Sequence, residues 1–337
     1  LSVDLPRSVL SDLYFPESQD DEIVNQISSA LNAGKHIILT GPPGTGKTEI
    51  ARLVCKHLAD KYDSLYTGYR VTTATADWST FETIGGYMPE KGDGDLGFEP
   101  GQVLRRFRQN GVQQNEPLIV DEINRADIDK SFGQLFTLLS GQGVQLPFKH
   151  DGNEIEILPG ENFDEEPEAH QYVKPASWRL FATMNSYDKT SLYELSYAFM
   201  RRFSFIHVDA PDVPEASDEQ LALMEQYAEV WDKSLSDDAL RTVGEVWHAA
   251  NTAIQNRKIG PAIIEDILTT LEQAPDDSAA RKRLLTQAIA NYLYPQLEGV
   301  PYRKRMVEQI ISTGAVNGQV LRRLANDILD IDLDTNE

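Results

Sequence analysis

Eight residues, GPPGTGKT at Gly41–Thr48, constrain this 337-residue chain more than any other stretch. They match the pattern G-x-x-x-x-G-K-[ST], whose glycines let backbone wrap an anion with its N–H groups turned inward at a helix N-terminus. In such a loop a lysine reaches the β- and γ-phosphates of a nucleotide and the final hydroxyl ligates Mg2+. Those roles fall here to Lys47 and Thr48. The motif requires a strand before it and a helix after it. HIILT (His36–Thr40) is a short apolar run that reads as a buried strand, and Lys47 to about Lys61 reads as a helix. Gly41, Pro42, Pro43, Gly44, Thr45, Gly46, Lys47 and Thr48 are therefore the expected nucleotide-binding residues, ahead of an incidental glycine turn.

The same alternation continues along the chain. Residues 21–33 place Ile23, Val24, Ile27 and Leu31 on one helical face, with Gly34 as a stop. Further strands are expected at Tyr66–Ala74, Pro117–Ile123, Trp178–Asn185 and Ser204–Ala210. Short buried strands between helices indicate an α/β fold with a parallel, helix-covered sheet, here of five strands. Between about residues 141 and 160 the pattern changes. VQLPF and EIEIL flank a turn with Asp151-Gly152 at its tip, the signature of an inserted β-hairpin. Past Pro211 and Pro214 only amphipathic helices remain, from Glu219 to Ile331. The expected division is residues 1–211 as a nucleotide-binding core and 212–337 as an all-helical lid.

Two more segments carry chemistry. LIVDEINRA (Leu118–Ala126) is an apolar strand ending in two acids. Asp121 there suits the Mg2+ shell, and Glu122 suits a general base that polarises attacking water. Asn185 closes the strand WRLFATMN, where its amide can bond both the water and the γ-phosphate. Arg201-Arg202 ends a helix expected to start near Ser191. Arginine is favourable at a helix C-terminus in any case, but either residue also suits an arginine finger that enters a neighbouring subunit's site. The sequence does not choose between them.

Composition narrows the alternatives. The balance of 31 Lys and Arg against 53 Asp and Glu leaves a net charge of −22. That argues against a surface built to coat nucleic acid, since phosphate contacts need cations. The single cysteine, Cys55, permits no internal disulfide and fits a reducing, cytoplasmic setting. The six histidines form no metal-ligand spacing, and no apolar run approaches the ~20 residues that span a bilayer. The chain opens on Leu1 rather than Met, which leaves room for a preceding segment. Trp78 and Phe81 read as core or subunit-interface packing, and the basic clusters after residue 280 as solvated helix faces or subunit contacts.

GPPGTGKT, DEINRA and an Asn-ended strand leading to FMRRF together resemble the AAA+ ATPases, over about residues 15–210. DEINRAD with the following KSFGQLFTLL resembles the branch that holds MoxR-type chaperone ATPases and McrB-type restriction motors. The McrB type is the nearer likeness. Its Phe-Gly helix corresponds to Phe132-Gly133, its hairpin to Val144–Phe148, and its Met-Asn-Thr-x-Asp-Arg-Ser run to Met184, Asn185, Ser186, Asp188, Lys189 and Thr190. Lys189 departs from the usual arginine, and Met200 precedes two rather than three arginines. Many AAA+ chains carry a phosphate-contacting arginine after a Gly-Pro in the lid. Here Gly260-Pro261 leads to Ala262, so that role is empty or passes to Arg257 or Lys258.

The resemblance implies a P-loop AAA+ core with a helical lid, Mg2+ as cofactor, ATP as substrate with GTP possible, and assembly into a hexameric ring. It also implies a pore-directed hairpin, and it leaves room for DNA and for a separate nuclease or effector subunit as partners. No membrane association is expected. The first functional reading is a motor subunit of a McrB-like restriction or nucleic-acid-processing complex. The alternative is a MoxR-type chaperone that remodels proteins. A slow nucleotide switch is a third reading, disfavoured by the presence of both Asp121 and Glu122.

Overall fold

A run such as Ile37-Ile38-Leu39, apolar on both faces, is stable only where both faces are covered, which is the environment of a parallel sheet between helices. The computed structural model, which describes residues 2–89, 96–160, 167–186, 196–253, 258–275 and 277–333, has five strands in one parallel sheet, of which the inner three are such runs and the outer two are more exposed. In chain order they are β1 (His36–Gly41), β2 (Arg70–Thr73), β3 (Leu118–Asp121), β4 (Leu180–Asn185) and β5 (Phe203–His207). Side by side they run β5-β1-β4-β3-β2. Ile37, Ile38, Leu39, Ile119, Val120, Phe181 and Ala182 are fully buried. The register aligns the strand starts, with His36 opposite Phe203 and Leu118 opposite both Leu180 and Arg70. The strand ends align likewise, with Asp121 opposite Thr73.

This sheet belongs to the first of two compact units, made of Leu1–Leu10, Asp21–Thr40 and Lys47–His207. Helix Lys47–Lys61 turns Ile50, Ala51, Val54, Cys55 and Leu58 inward. Cys55 is fully buried and burial pushes its thiol well above the usual range, which leaves it inert. The expected hairpin is present as Val144–His150 paired antiparallel with Asn153–Pro159. Asp151 (φ 50°) and Gly152 (φ 84°) form its tip, both in the left-handed region that a two-residue hairpin turn demands. A third strand, Gln171–Lys174, joins it in parallel.

Several boundaries differ from the sequence reading. The strand expected at Tyr66–Ala74 contracts to Arg70–Thr73, with Gly68 at φ 149° ahead of it. A second hairpin, Gly85–Pro89 with Leu96–Pro100, was not anticipated. It meets the first through the Tyr87 hydroxyl, which accepts from the Lys149 N–H at 2.7 Å. Trp78 is buried, as expected, but Phe81 is 45% exposed and lies over Gly86, where an added Cβ would come within 2.7 Å of its ring. Phe81 is therefore not a core residue. The helix expected from Ser191 is described only over Tyr197–Met200, the residues before Ser196 lying outside the described ones.

The second unit comprises Ser11–Asp20, Gly41–Gly46 and Val208–Glu337. Its helices are Ser217–Val230, Asp237–Ala253, Pro261–Leu271, Ser278–Ala288, Arg303–Ser312 and Gly318–Leu329. They enclose a core around Met224, Trp247, Leu268, Tyr294 and Val307. The buried polar tips are satisfied: Trp247 Nε1 donates to the Ile259 carbonyl at 2.9 Å, and the Tyr294 hydroxyl to that of Leu321 at 3.0 Å. The chain is α-helical over Ser278–Ala288, widens into a π turn over Ile289–Leu293 and tightens over Tyr294–Leu297. Pro295 explains the change, because it lacks an N–H and its ring displaces the preceding turn. No helix among the described residues is long and apolar enough to cross a membrane.

Candidate functional site

Aligning five strand ends brings side chains from separate segments to one edge of the sheet. Asp121, at the end of β3, is the centre of this edge. Its Oδ1 accepts from the Thr48 hydroxyl at 2.6 Å and from the Thr183 hydroxyl at 2.5 Å. Thr183, buried on β4, also accepts from the Glu122 N–H at 3.0 Å. One hydroxyl thus ties β4 to both acids.

Glu122 itself is held in a left-handed conformation (φ 52°, ψ 46°), uncommon for a residue with a side chain and a form of strain that clusters at functional sites. Its Oε1 accepts from Asn185 Nδ2 at 3.1 Å and from an Arg125 Nη2–H at 3.0 Å. Its Oε2 pairs with Arg125 Nε at 2.9 Å. Lys47 opens its helix buried, at 5% exposure.

The glycine loop has the geometry its composition suggests. Gly41, Gly44 and Gly46 sit at φ 147°, 75° and 80°, and the Thr45 hydroxyl donates to the Pro42 carbonyl at 3.1 Å. A Cβ on Gly41 would lie 2.0 Å from the Val208 carbonyl oxygen, so only glycine fits there. Within the second unit the Ala262 N–H donates to the Gly44 carbonyl at 3.1 Å. Gly260 approaches so closely that its Cβ would fall 2.4 Å from the Pro43 oxygen. A cavity in this unit is lined by Tyr14, Gly44, Asp209, Tyr227 and Ala262 among others.

Of the two substitutes for the missing lid arginine, Arg257 lies outside the described residues. Lys258 pairs with Asp212 at 2.6 Å, and Asp209 lies 3.9 Å away.

Among the described residues no group of three His, Cys, Asp or Glu side chains could hold a metal. An all-protein cage is thus absent from them. The Thr48 hydroxyl and Asp121 carboxylate are hard oxygen donors brought together at one point. They fit Mg2+, which takes few protein ligands and completes its shell with phosphate and water.

Arg201 and Arg202 lie at the other edge. They precede Phe203 at the start of β5, whereas Asp121, Glu122 and Asn185 close β3 and β4. A strand length, on the order of 15 Å, separates the two edges. Arg202 Nε donates to the Ser140 hydroxyl at 2.9 Å, and Nη2 contacts the same oxygen. Burial and the neighbouring Arg201 charge hold the Arg202 guanidinium below its ordinary pKa. Arg201 is exposed, and its carbonyl accepts from Lys35 Nζ at 2.8 Å. Nearby, His36 is buried and accepts the Leu180 N–H on Nδ1 at 2.9 Å. Burial, then the charges of Lys174, Arg179, Arg202 and Lys35, push its pKa well down.

The sequence-predicted residues thus form two sets. Thr48, Asp121, Glu122 and Asn185 come together; Arg201 and Arg202 do not join them within one chain. Sequence reasoning missed Thr183 and Arg125. Thr183 lies two positions before Asn185 and so on the same strand face, a signal available from the period-two rule. Arg125 becomes visible only once Glu122 adopts its left-handed turn. Asp188, Lys189 and Thr190 lie outside the described residues.

Residues 36–203 match the AAA domain (dynein-related subfamily). Over 211 residues the chain is 30% identical to the Type IV methyl-directed restriction enzyme EcoKMcrB subunit of Escherichia coli (strain K12), covering 60% of this chain and 40% of that relative. Over 132 residues it is 31% identical to a mitochondrial Lon protease homolog of Scheffersomyces stipitis, covering 38% of this chain and 11% of the relative. The chain therefore spans well under half the length of either. Among solved structures, NtrX from Brucella abortus in complex with ADP aligns at 15% identity and TM-score 0.40, over 94% of this chain and 68% of that one. Sheet order, motif geometry and family match lead to one conclusion: the chain belongs to the AAA+ ATPases through an AAA domain of the dynein-related subfamily, a membership that implies nucleotide binding and nucleotide hydrolase activity.

Proposed function

We propose that the chain is a Mg2+-dependent nucleoside triphosphatase that works as a motor subunit, with ATP as the default substrate and GTP as the alternative. The observation that carries this reading is the hydroxyl and carboxylate cluster at the strand ends, where Thr48 and Thr183 converge on Asp121 while Asn185 reaches Glu122. The N–H groups of Gly41–Gly46 and the Lys47 ammonium bind the phosphates. Thr48 and Asp121 hold Mg2+, which supplies charge neutralisation on the phosphate oxygens. Glu122 takes the proton of the attacking water as general base, and Asn185 orients that base. Arg201 or Arg202 serves as the finger for the site of a second copy, since neither can reach its own chain's acids across the strand length.

The 30% identity to a restriction-enzyme subunit supports a role in a McrB-like restriction or nucleic-acid-processing complex, with a separate nuclease or effector partner. The observation that favours the alternative, a MoxR-type remodeller of proteins, is the net charge of −22 together with the exposed side chains of Phe81, Met88 and Leu96 on and beside the unanticipated hairpin. Steady-state hydrolysis of ATP and of GTP, with and without single- and double-stranded DNA, separates these readings. DNA-stimulated turnover abolished by Lys47→Ala is the expected result. Turnover indifferent to DNA would transfer the proposal to a protein substrate, and nucleotide binding without turnover would remove it.

A further inference from the structure

Charge is distributed unevenly along this acidic chain. Residues 278–323 hold eight Lys and Arg against two acids, Glu298 and Glu308, inside a chain whose net charge is −22. All of them belong to the second unit. A local surplus of six positive charges sets up a field opposite in sign to that of the rest of the chain.

Three of these cations are taken up by local structure. Arg281 pairs with Asp238 at 2.5 Å, Lys282 Nζ donates to the Gly314 carbonyl at 2.8 Å, and Arg303 Nη2 to the Leu329 carbonyl at 2.9 Å. Two of the three acceptors are neutral, so Lys282 and Arg303 tie helices together and keep their charge. The side chains of Arg283, Arg305, Arg322 and Arg323 make no hydrogen bond or ion pair among the described residues. Arg283, Arg305 and Arg323 are exposed, and Arg322 is half-buried.

The tying bonds also place these four. Lys282 on Gly314, and the Asn317 N–H on the Thr286 hydroxyl at 2.9 Å, set the start of helix Gly318–Leu329 beside helix Ser278–Ala288. Arg283 lies one turn before Thr286, on the same side. A Cβ on Gly318 would lie 2.8 Å from an Ile311 methyl, and Arg303 reaches Leu329, so Arg303–Ser312 and Gly318–Leu329 are antiparallel neighbours. Gly318, Arg322 and Leu329 therefore share the row that meets this neighbour, which accounts for the half-burial of Arg322 and turns Arg323 outward. The helix bearing Arg322 and Arg323 thus touches both of the helices that bear Arg283 and Arg305. Neighbouring helices lie about 8–10 Å apart.

We propose that this arginine-lined face of the second unit binds the sugar-phosphate backbone of nucleic acid. The inference rests on the nucleic-acid reading of the proposed function and deepens it by naming the surface. A planar guanidinium takes two phosphate oxygens at once, which suits arginine better than lysine. Tyr302, 77% exposed and directly before Arg303, offers a ring on which an unpaired base stacks. That ring favours nucleic acid over the acidic surface of a second copy. Because the remaining chain is acidic, the strand is admitted along this face alone.

The test is binding of short labelled single- and double-stranded DNA to the full chain, by fluorescence anisotropy across a salt series. Arg305→Glu with Arg323→Glu, both at exposed positions, is compared with Arg283→Glu and with Lys56→Glu, an exposed control on helix Lys47–Lys61. Each arginine change is expected to lower the slope of log K against log salt by about 1, and the double variant to bind at least roughly tenfold more weakly at low salt. Lys56→Glu is expected to keep the wild-type slope, and hydrolysis without DNA to be unchanged in every variant. Wild-type slopes in the arginine variants, or a wild type that binds neither DNA, would overturn the proposal. A changed oligomeric state by light scattering, with DNA binding intact, would overturn it in favour of a contact between copies. Loss of DNA binding in the arginine variants of a chain that hydrolyses no nucleotide would remove the proposed function and leave this surface standing.

Discussion

The two edges of the central sheet are opposites. At the strand ends, hydroxyls, carboxylates and an amide crowd around Asp121. At the strand starts, Lys35, Lys174, Arg179 and Arg202 surround a histidine that stays neutral. Both edges are built on the same apolar strands, so the difference owes nothing to the core. It shows that the fold gathers hydroxyls and carboxylates at one side of this layer, where Lys47 and Arg125 are the accompanying cations, and a cluster of basic side chains at the other. On the proposed function, the strand-start edge adds a further cation, Arg201 or Arg202, to the site of a second copy.

That contrast breaks most sharply at Arg201. If the cationic edge completes a neighbour's site, Arg201→Ala lowers hydrolysis by roughly 10³–10⁵-fold. Mixing it with Glu122→Gln protein should restore part of the activity, because some sites then pair an intact base with an intact arginine. Turnover by Arg201→Ala alone at the wild-type rate would confine catalysis to the acidic edge. Should only Arg202→Ala be inactive, the residue anchored on Ser140 is the finger.

The acidic edge is tested next by Glu122→Gln, expected to slow turnover by about 10²–10⁴-fold while nucleotide remains bound. Equilibrium dialysis beside a turnover assay distinguishes this from lost binding, which Lys47→Ala should produce instead.

A smaller effect is expected at Thr183. Thr183→Val keeps the shape but removes a donor to Asp121 and leaves the Glu122 N–H without its acceptor, at a cost of about 1–3 kcal/mol. Denaturant unfolding reads it directly. An unchanged midpoint would mean that the strand ends hold their geometry without this hydroxyl.

The smallest effect belongs to the cationic edge. His36 has a folded pKa well below its ordinary value. The unfolded chain therefore binds the proton first as pH falls. Stability from keeping His36 neutral is fully present above about pH 6.5 and declines as pH falls toward the folded pKa, by up to ~1.4 kcal/mol per unit. His36→Gln should flatten this slope between pH 7 and 5, and an unaltered slope would assign the acid sensitivity to another group.

What could be read before folding was local. GPPGTGKT specifies its own loop, because three glycines at positive φ and a lysine at a helix start are properties of neighbouring residues. Asp151-Gly152 likewise specifies its turn. The acids after LIV and the asparagine after FATM could be assigned to strand ends because apolar runs end there. Thr183 was legible in principle from strand alternation and was passed over, since a threonine inside a buried strand carries no mark of its partner. Arg125 was not legible at all, because its contact depends on a backbone conformation that glutamate seldom adopts.

By itself, then, the sequence determined the strands of the central sheet, the glycine loop proposed to take phosphate, and the side chains that could do chemistry. Only the tertiary structure decided the order β5-β1-β4-β3-β2, and with it which of those side chains meet. The physical reason is that the three buried strands β1, β3 and β4 present nearly the same apolar pattern, so nothing local says which lies beside which. The order emerges from pairing residues far apart in the chain. That pairing sets the Thr48 and Thr183 hydroxyls on one carboxylate oxygen of Asp121 and leaves Arg201 and Arg202 a strand length away.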